Sequence, residues 1–275
     1  MSSLSHLRPT RAEINLDKIE HNLSEFRRLL GPDVQIMAVV KADGYGHGAV
    51  EVARVALRAG ASSLGVAYID EGAALRRAGI KVPILLLGYT DPADASALME
   101  YRLTPALFDL ETARLFSRSF SEQGKRWPVH LKIDTGMGRI GISPAESVEF
   151  MVTLSHLPGL KLEGVFTHLS SADEEEGGAY TAGQLRLFEG VMAGARERGI
   201  FPSVYHAANS AAAMLYPQSR YNLVRIGISL YGCYPSPWLQ KRTTVELQPA
   251  MSLKSKIVYL KEVPPQTPLG YGRTY

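Results

Sequence analysis

Cysteine is nearly absent: 275 residues include one, Cys233. A single thiol excludes an internal disulfide and any zinc site built on several cysteines, and it points to a reducing compartment. Long apolar runs are missing too. The longest, around Val82 to Leu87, falls far short of the ~20 residues that a membrane-spanning helix needs. The opening stretch MSSLSHLRPTR has no apolar centre and does not read as a signal peptide. Nor does one sign of charge dominate. Thirty Lys and Arg face 27 Asp and Glu, the formal charge is +3, and no basic block interrupts the mixture. That pattern argues against nucleic acid as a partner. What is present, 45% apolar and 21% charged residues, is ordinary globular usage and excludes disorder, collagen and coiled coil. The expectation is a soluble, cytoplasmic protein with no membrane partner.

Short runs rich in Val, Ile and Leu alternate with longer amphipathic segments. Eight runs read as strands: Ile36–Val40, Leu64–Ala67, Ile84–Leu87, Leu103–Leu107, Val129–Ile133, Leu162–Thr167, Ser203–His206 and Leu223–Ile226. Strands apolar on both faces indicate a parallel sheet covered by helices. Asp17 with Glu20, and Ser143 with Glu146 behind Pro144, read as capping boxes, and Asp91 and Asp109 as further N-caps. Helices are expected to stop at Gly31, Gly60, Gly79 and Gly199. Eight βα repeats in this length favour a TIM (β/α)8 barrel over a doubly wound sheet.

After Tyr231 the texture changes. Two prolines follow Cys233, and Thr243–Val263 reads as strands without helices between them. The expected division is a barrel over residues 1–240 and the start of a mainly β domain over 241–275. So short a second piece cannot bury a core of its own, which suggests a truncated or split protein. The acidic run Asp173–Glu176 reads as a solvated loop.

In a parallel βα fold, ligands gather at the carboxyl ends of the strands. Five separate segments place polar residues there: Lys41; Lys132 and Asp134 with the loop Thr135–Gly141; His168; Asn209 and Ser210; and Arg225 with Gly227. Lys41 closes an apolar run. Burial disfavours a charged ammonium, and a neutral amine attacks carbonyls or holds an aldehyde cofactor. A structural lysine paired to a neighbouring strand fits the position equally. Gly136-x-Gly138-x-x-Gly141 and Gly44-x-Gly46-x-x-Ala49 both fit a dinucleotide fingerprint, with Asp70 at a plausible distance from the second. Two matches in one chain show how unspecific that pattern is, and a nicotinamide site gives Lys41 no task. Backbone N–H groups at Gly227 and Ile228, with the Ser210 hydroxyl, could cradle a phosphate; Ser210 also reads as a simple N-cap. His168 could stack on a flat ring or pair with an acid. Arg225 at an inner strand end must be paired or serve a ligand. Tyr271, between two glycines, reads as a turn residue.

Together these segments resemble the alanine racemase family, the fold-type III enzymes that use pyridoxal 5′-phosphate (PLP). The likeness runs in order through Val39–Gly48, Leu131–Gly141, Phe166–Leu169, Ala208–Ala211, Val224–Ile228 and Gly270–Arg273. It implies a barrel followed by a mainly β domain, most of which this chain lacks. It implies that Lys41 forms the Schiff base and is one catalytic base, and that Tyr271, acting in a partner subunit, is the other. It further implies that Tyr45, Ser210, Gly227 and Ile228 hold the phosphate with Asn209 beside them. His168 would pack on the ring, Arg139 would bond the ring hydroxyl, and Arg225 would face the pyridine nitrogen. Lys132, carbamylated in some members, would orient Arg139. The implied activity is interconversion of L- and D-alanine for peptidoglycan by a homodimer. Rival readings are an amino-acid decarboxylase of the same fold type, a single-domain PLP-homeostasis protein, and a non-catalytic PLP-binding fragment.

Overall fold

The structure, a computed structural model, describes residues 8–273. Eight strands form one sheet: β2 (Gln35–Val39), β3 (Ser63–Val66), β4 (Ile84–Leu86), β5 (Thr104–Leu107), β6 (Trp127–Lys132), β7 (Leu160–Phe166), β8 (Val204–His206) and β9 (Leu223–Ile226). All neighbours are parallel, in the order β8-β7-β6-β5-β4-β3-β2-β9. The first and last strands of this run, β2 and β9, pair with each other from Gln35↔Leu223 to Ala38↔Ile226. The expected barrel is therefore present, and all eight strands fall where the apolar runs predict them.

The ring is not sewn evenly. β8 and β9 lie side by side without a ladder. Asn222 bridges them instead, accepting from Tyr205 N (2.7 Å) and donating to the Ser203 carbonyl (2.8 Å). Higher up, Arg225 N donates to the Ala208 carbonyl at 3.0 Å.

Helices between the strands cover the outside. Leu16–Leu30 precedes β2 and buries Ile19, Leu23, Phe26 and Leu30 on one face. Its N-cap is Asn15, whose side chain accepts from Asp17 N and Lys18 N, so the predicted Asp17 box begins two residues late. Ser143 does cap Pro144–Ser155, but its hydroxyl donates to the Glu146 carboxylate rather than accepting from the backbone. Asp91 and Asp109 cap as expected. Gly31, Gly60, Gly79 and Gly199 all take positive φ just past helix ends, as a left-handed exit requires.

The compact unit containing the barrel runs from Asn15 to Ala250. Thr243–Ala250 forms no strand, against expectation. Side chains of helix Leu16–Leu30 take up its backbone groups instead. Asn22, fully buried, donates to the Gln248 carbonyl (2.9 Å) and accepts from Gln248 N (2.8 Å). Glu25 accepts from Glu246 N at 2.9 Å. A second unit joins the segment ending at Ile14 to the one beginning at Met251. Within it β1 (Arg11–Ile14) pairs antiparallel with β10 (Met251–Lys254). No described helix is long and apolar enough to cross a membrane.

Candidate active site

At the carboxyl ends of the strands lies a cavity of about 640 Å³. Ten of the eleven expected site residues line it: Lys41, Tyr45, Lys132, Arg139, His168, Asn209, Ser210, Arg225, Gly227 and Ile228. Tyr271 belongs to the second unit, in the turn Tyr271–Arg273, with its ring fully exposed.

Lys41 leaves β2 into an unusual backbone. Ala42, Asp43, Gly44 and Tyr45 take φ of 51, 51, 61 and 52°, which makes a turn of left-handed helix. Non-glycine residues there cost about 1–2 kcal/mol each, and such strain collects at functional sites. The surroundings hold it in place. The Glu71 carboxylate accepts from Ala42 N (2.6 Å) and Ala67 N (2.7 Å), and Asp43 accepts from Ala49 N (2.8 Å). The turn sets the Lys41 ammonium 5.9 Å from the centroid of the Tyr45 ring. Tyr45 in turn leans on Tyr231, whose hydroxyl donates to the Val39 carbonyl at 2.9 Å.

The glycine loop after β6 faces inward. Asp134 Oδ1 accepts from Gly136, Met137 and Gly138 N at 2.8–3.1 Å, and Oδ2 from Arg139 N at 3.2 Å. Burial opposes ionisation of Asp134, but these four donors outweigh it and hold its pKa below the ordinary carboxylate value. The amides of the fingerprint are thus taken by the protein's own carboxylate, which removes the dinucleotide reading of this loop. Gly141 is needed for its close approach: a Cβ there would lie 2.6 Å from Asp134 N, and φ is +139°.

The far wall is cationic. Arg225 is 4% exposed and uses both terminal nitrogens within the protein. Nη1 donates to the His206 carbonyl (3.0 Å) and His206 Nδ1 (2.9 Å); Nη2 donates to the carbonyls of Thr167 (2.7 Å) and Ala207 (3.1 Å) and to His168 Nδ1 (3.1 Å). Burial pushes Arg225 down only to about 9, so it stays charged at neutral pH. Its Nε has no hydrogen-bond partner among the described residues. Burial, then the neighbouring cations led by Arg225, push His168 down to about 3, so the ring is neutral with its proton on Nε2. Burial likewise lowers Lys132 to about 8, with Arg225 and Arg139 adding repulsion. Both Lys132 and Arg225 sit 5.5 Å from the Phe166 ring centroid, so one aromatic ring helps shelter two buried cations.

Ser210 and Gly227 meet across the β8–β9 gap, with Gly227 N donating to Ser210 Oγ at 3.0 Å. A Cβ on Gly227 would lie 3.0 Å from the Tyr45 hydroxyl. The glycine therefore keeps open a pocket edged by a hydroxyl and a phenol. Asn209 acts indirectly: it accepts from Ala212 N and donates to the Leu169 carbonyl, which fixes the loop. Sequence reasoning missed Glu71, Phe166 and His206 as parts of this site. A histidine inside an apolar strand was a readable signal for His206; Glu71 gave none.

A cavity that opens at the carboxyl ends, presents a lysine ahead of a left-handed turn and carries three further cations defines a (β/α)8-barrel protein with a cationic pocket at its catalytic face. Comparison with known proteins narrows that class. A profile described as "Alanine racemase, N-terminal domain" matches residues 14–235. An alanine racemase of Desulforamulus reducens is 48% identical over 268 residues, covering 97% of this chain and 72% of its own length. The solved alanine racemase of Clostridium difficile 630 superposes with a TM-score of 0.91 at 43% identity, covering 97% of this chain and 70% of that one. An alanine racemase of Bacillus anthracis with bound L-Ala-P gives 0.91 at 38% identity, covering 98% and 69%. This chain belongs to the alanine racemase family.

Proposed function

We propose that this protein interconverts L- and D-alanine using PLP held in the 640 Å³ cavity. The observation that carries the reading is the convergence of Lys41, the Ser210–Gly227 pocket and Arg225 on one cavity. These residues fit the cofactor. Gly227 leaves space where a side chain would fill the pocket, and Arg225 offers an unused Nε–H to a ring nitrogen. Lys41 would hold the aldehyde carbon covalently. Ser210, Gly227, Ile228 and Tyr45 would take the phosphate, His168 would lie against the ring, and Arg139 would reach the ring hydroxyl. Lys132, with its lowered pKa, is suited to react with carbon dioxide and then orient Arg139 as a carbamate.

Bound there, PLP supplies an electron-withdrawing ring that acidifies the Cα–H of the substrate. The protein's own residues must then move the proton. Racemisation takes it from one face of Cα and returns it on the other, which calls for two bases. Lys41 takes the proton of D-alanine. Tyr271, placed in the site of a partner subunit, takes that of L-alanine, so the working unit is a homodimer. Arg225, cationic at neutral pH, would leave the ring nitrogen unprotonated, which would limit side reactions that need a stronger electron sink. The peptidoglycan role and the cytoplasmic location follow from the same reading.

Lys41→Ala tests it. The variant should give none of the visible absorbance of lysine-bound PLP; a retained band overturns the cofactor assignment. Tyr271→Phe should keep that band and lose L-to-D turnover far more than D-to-L exchange of the Cα proton. Equal, near-normal rates in both directions would refute the two-base assignment.

A further inference from the structure

Arg225 carries a full charge into the barrel, yet every partner of its terminal nitrogens is neutral. A buried guanidinium without a counter-charge is costly. We propose that His206, His130 and Glu163 form a one-way chain, two hydrogen bonds followed by an electrostatic contact, that links Arg225 to a carboxylate at the amino-terminal end of the barrel and fixes which way its guanidinium faces. These are positioning residues, and none of them lines the PLP cavity.

The chemistry of the Arg225 end forces each role. A guanidinium only donates. His206 Nδ1, 2.9 Å from Arg225 Nη1, must therefore accept, which leaves the His206 proton on Nε2. That nitrogen is 2.9 Å from His130 Nδ1, which must accept in turn and leave the His130 proton on Nε2. His130 Nε2 faces Glu163 Oε2 at 3.9 Å. At that distance the last link is electrostatic, and the Arg225 end alone fixes both tautomers, leaving the His130 Nε2–H on the side of the carboxylate. Burial first, then the Arg225 charge, hold His206 far below the ordinary histidine pKa, in keeping with a neutral ring.

Two features of the backbone are spent on this arrangement. The register between β6 and β7 slips after Val129: Val129 pairs with Leu162 and His130 with Gly164. Glu163 is the extra residue of a β-bulge, a device that re-aims a side chain. Gly164 also has a use: a Cβ there would lie 2.5 Å from His130 Nδ1 and Cε1, so the imidazole occupies space that any other residue would claim. Glu163 and His130 border a second cavity of about 210 Å³ at the opposite mouth of the barrel. Lys161, 3.5 Å from Glu163 Oε1, helps keep that carboxylate ionised.

The bearing of the chain on catalysis rests on the role proposed for Arg225; its existence does not. The test is nitrogen NMR of the full chain with ¹⁵N-labelled imidazoles, before and after addition of PLP. Both His206 and His130 should be neutral, with protonated Nε2 and bare Nδ1. A proton on Nδ1 of either ring, or an imidazolium, overturns the chain. Glu163→Leu should shift the His130 Nε2 resonance, the nitrogen that faces the carboxylate, whereas Glu163→Gln, which still offers an oxygen there, should move it less. An unmoved His130 Nε2 resonance in Glu163→Leu also overturns the proposal. Failure of the unaltered protein to bind PLP refutes the cofactor reading alone, because the tautomers are measured without it.

Discussion

Acid should weaken this fold through His168. Burial and the surrounding cations hold its pKa near about 3 in the folded protein, while an unfolded histidine titrates near 6.5. Below about pH 6.5 the unfolded chain therefore takes up a proton that the folded chain refuses. The stabilisation is fully present above the unfolded pKa and is lost as pH falls toward the folded one. Between about pH 7.5 and pH 5 this single group should remove about 2 kcal/mol of stability, since each pKa unit corresponds to about 1.4 kcal/mol. His206 acts in the same direction. Glu25, held at about 2 chiefly by its hydrogen bond to Arg28, is silent in this window because it acts only below its ordinary value. Urea unfolding at several pH values and fixed ionic strength, without PLP, would measure the effect. His168→Asn should reduce the loss by about 2 kcal/mol relative to the unaltered chain. Identical pH slopes for the two proteins would refute the assignment of a neutral, proton-refusing His168.

Two further substitutions probe glycines whose missing side chain matters at the site. Gly141→Ala should destabilise by about 2–4 kcal/mol, because φ is +139° and the new Cβ would meet Asp134 N at 2.6 Å. Chemical denaturation reads this out, and a loss under about 0.5 kcal/mol would contradict the described loop. Gly227→Ala should weaken PLP binding at least tenfold, by placing a side-chain atom 3.0 Å from the Tyr45 hydroxyl; titration of the visible band measures it. Unchanged affinity would place the phosphate elsewhere.

The sequence disclosed the barrel because a parallel sheet covered by helices leaves apolar runs separated by caps and glycines. It disclosed most of the site for a related reason: each functional side chain sits just past a strand, so a rule about strand ends finds Lys41, His168 and Arg225 together. What stayed hidden depends on partners distant in sequence. Asn22 and Glu25 look like surface residues of a helix, yet they bind the backbone of Thr243–Ala250 and so deny it the strand that its composition suggests. Glu71 reads as an ordinary first-turn acid, yet it braces the left-handed turn after Lys41 across 29 positions of chain. The glycine fingerprint misled because the motif records tight turns and not the direction in which the amides point.

The missing ladder between β8 and β9 gives the cylinder a slit, fastened low down by Asn222 and near the rim by the bond from Gly227 to Ser210. A molecule gripped at that rim by residues from both banks would act as a clasp. Occupancy of the site and integrity of the wall are then one property: the emptied protein would begin to open along this edge, and the ligand would help to keep its own container shut.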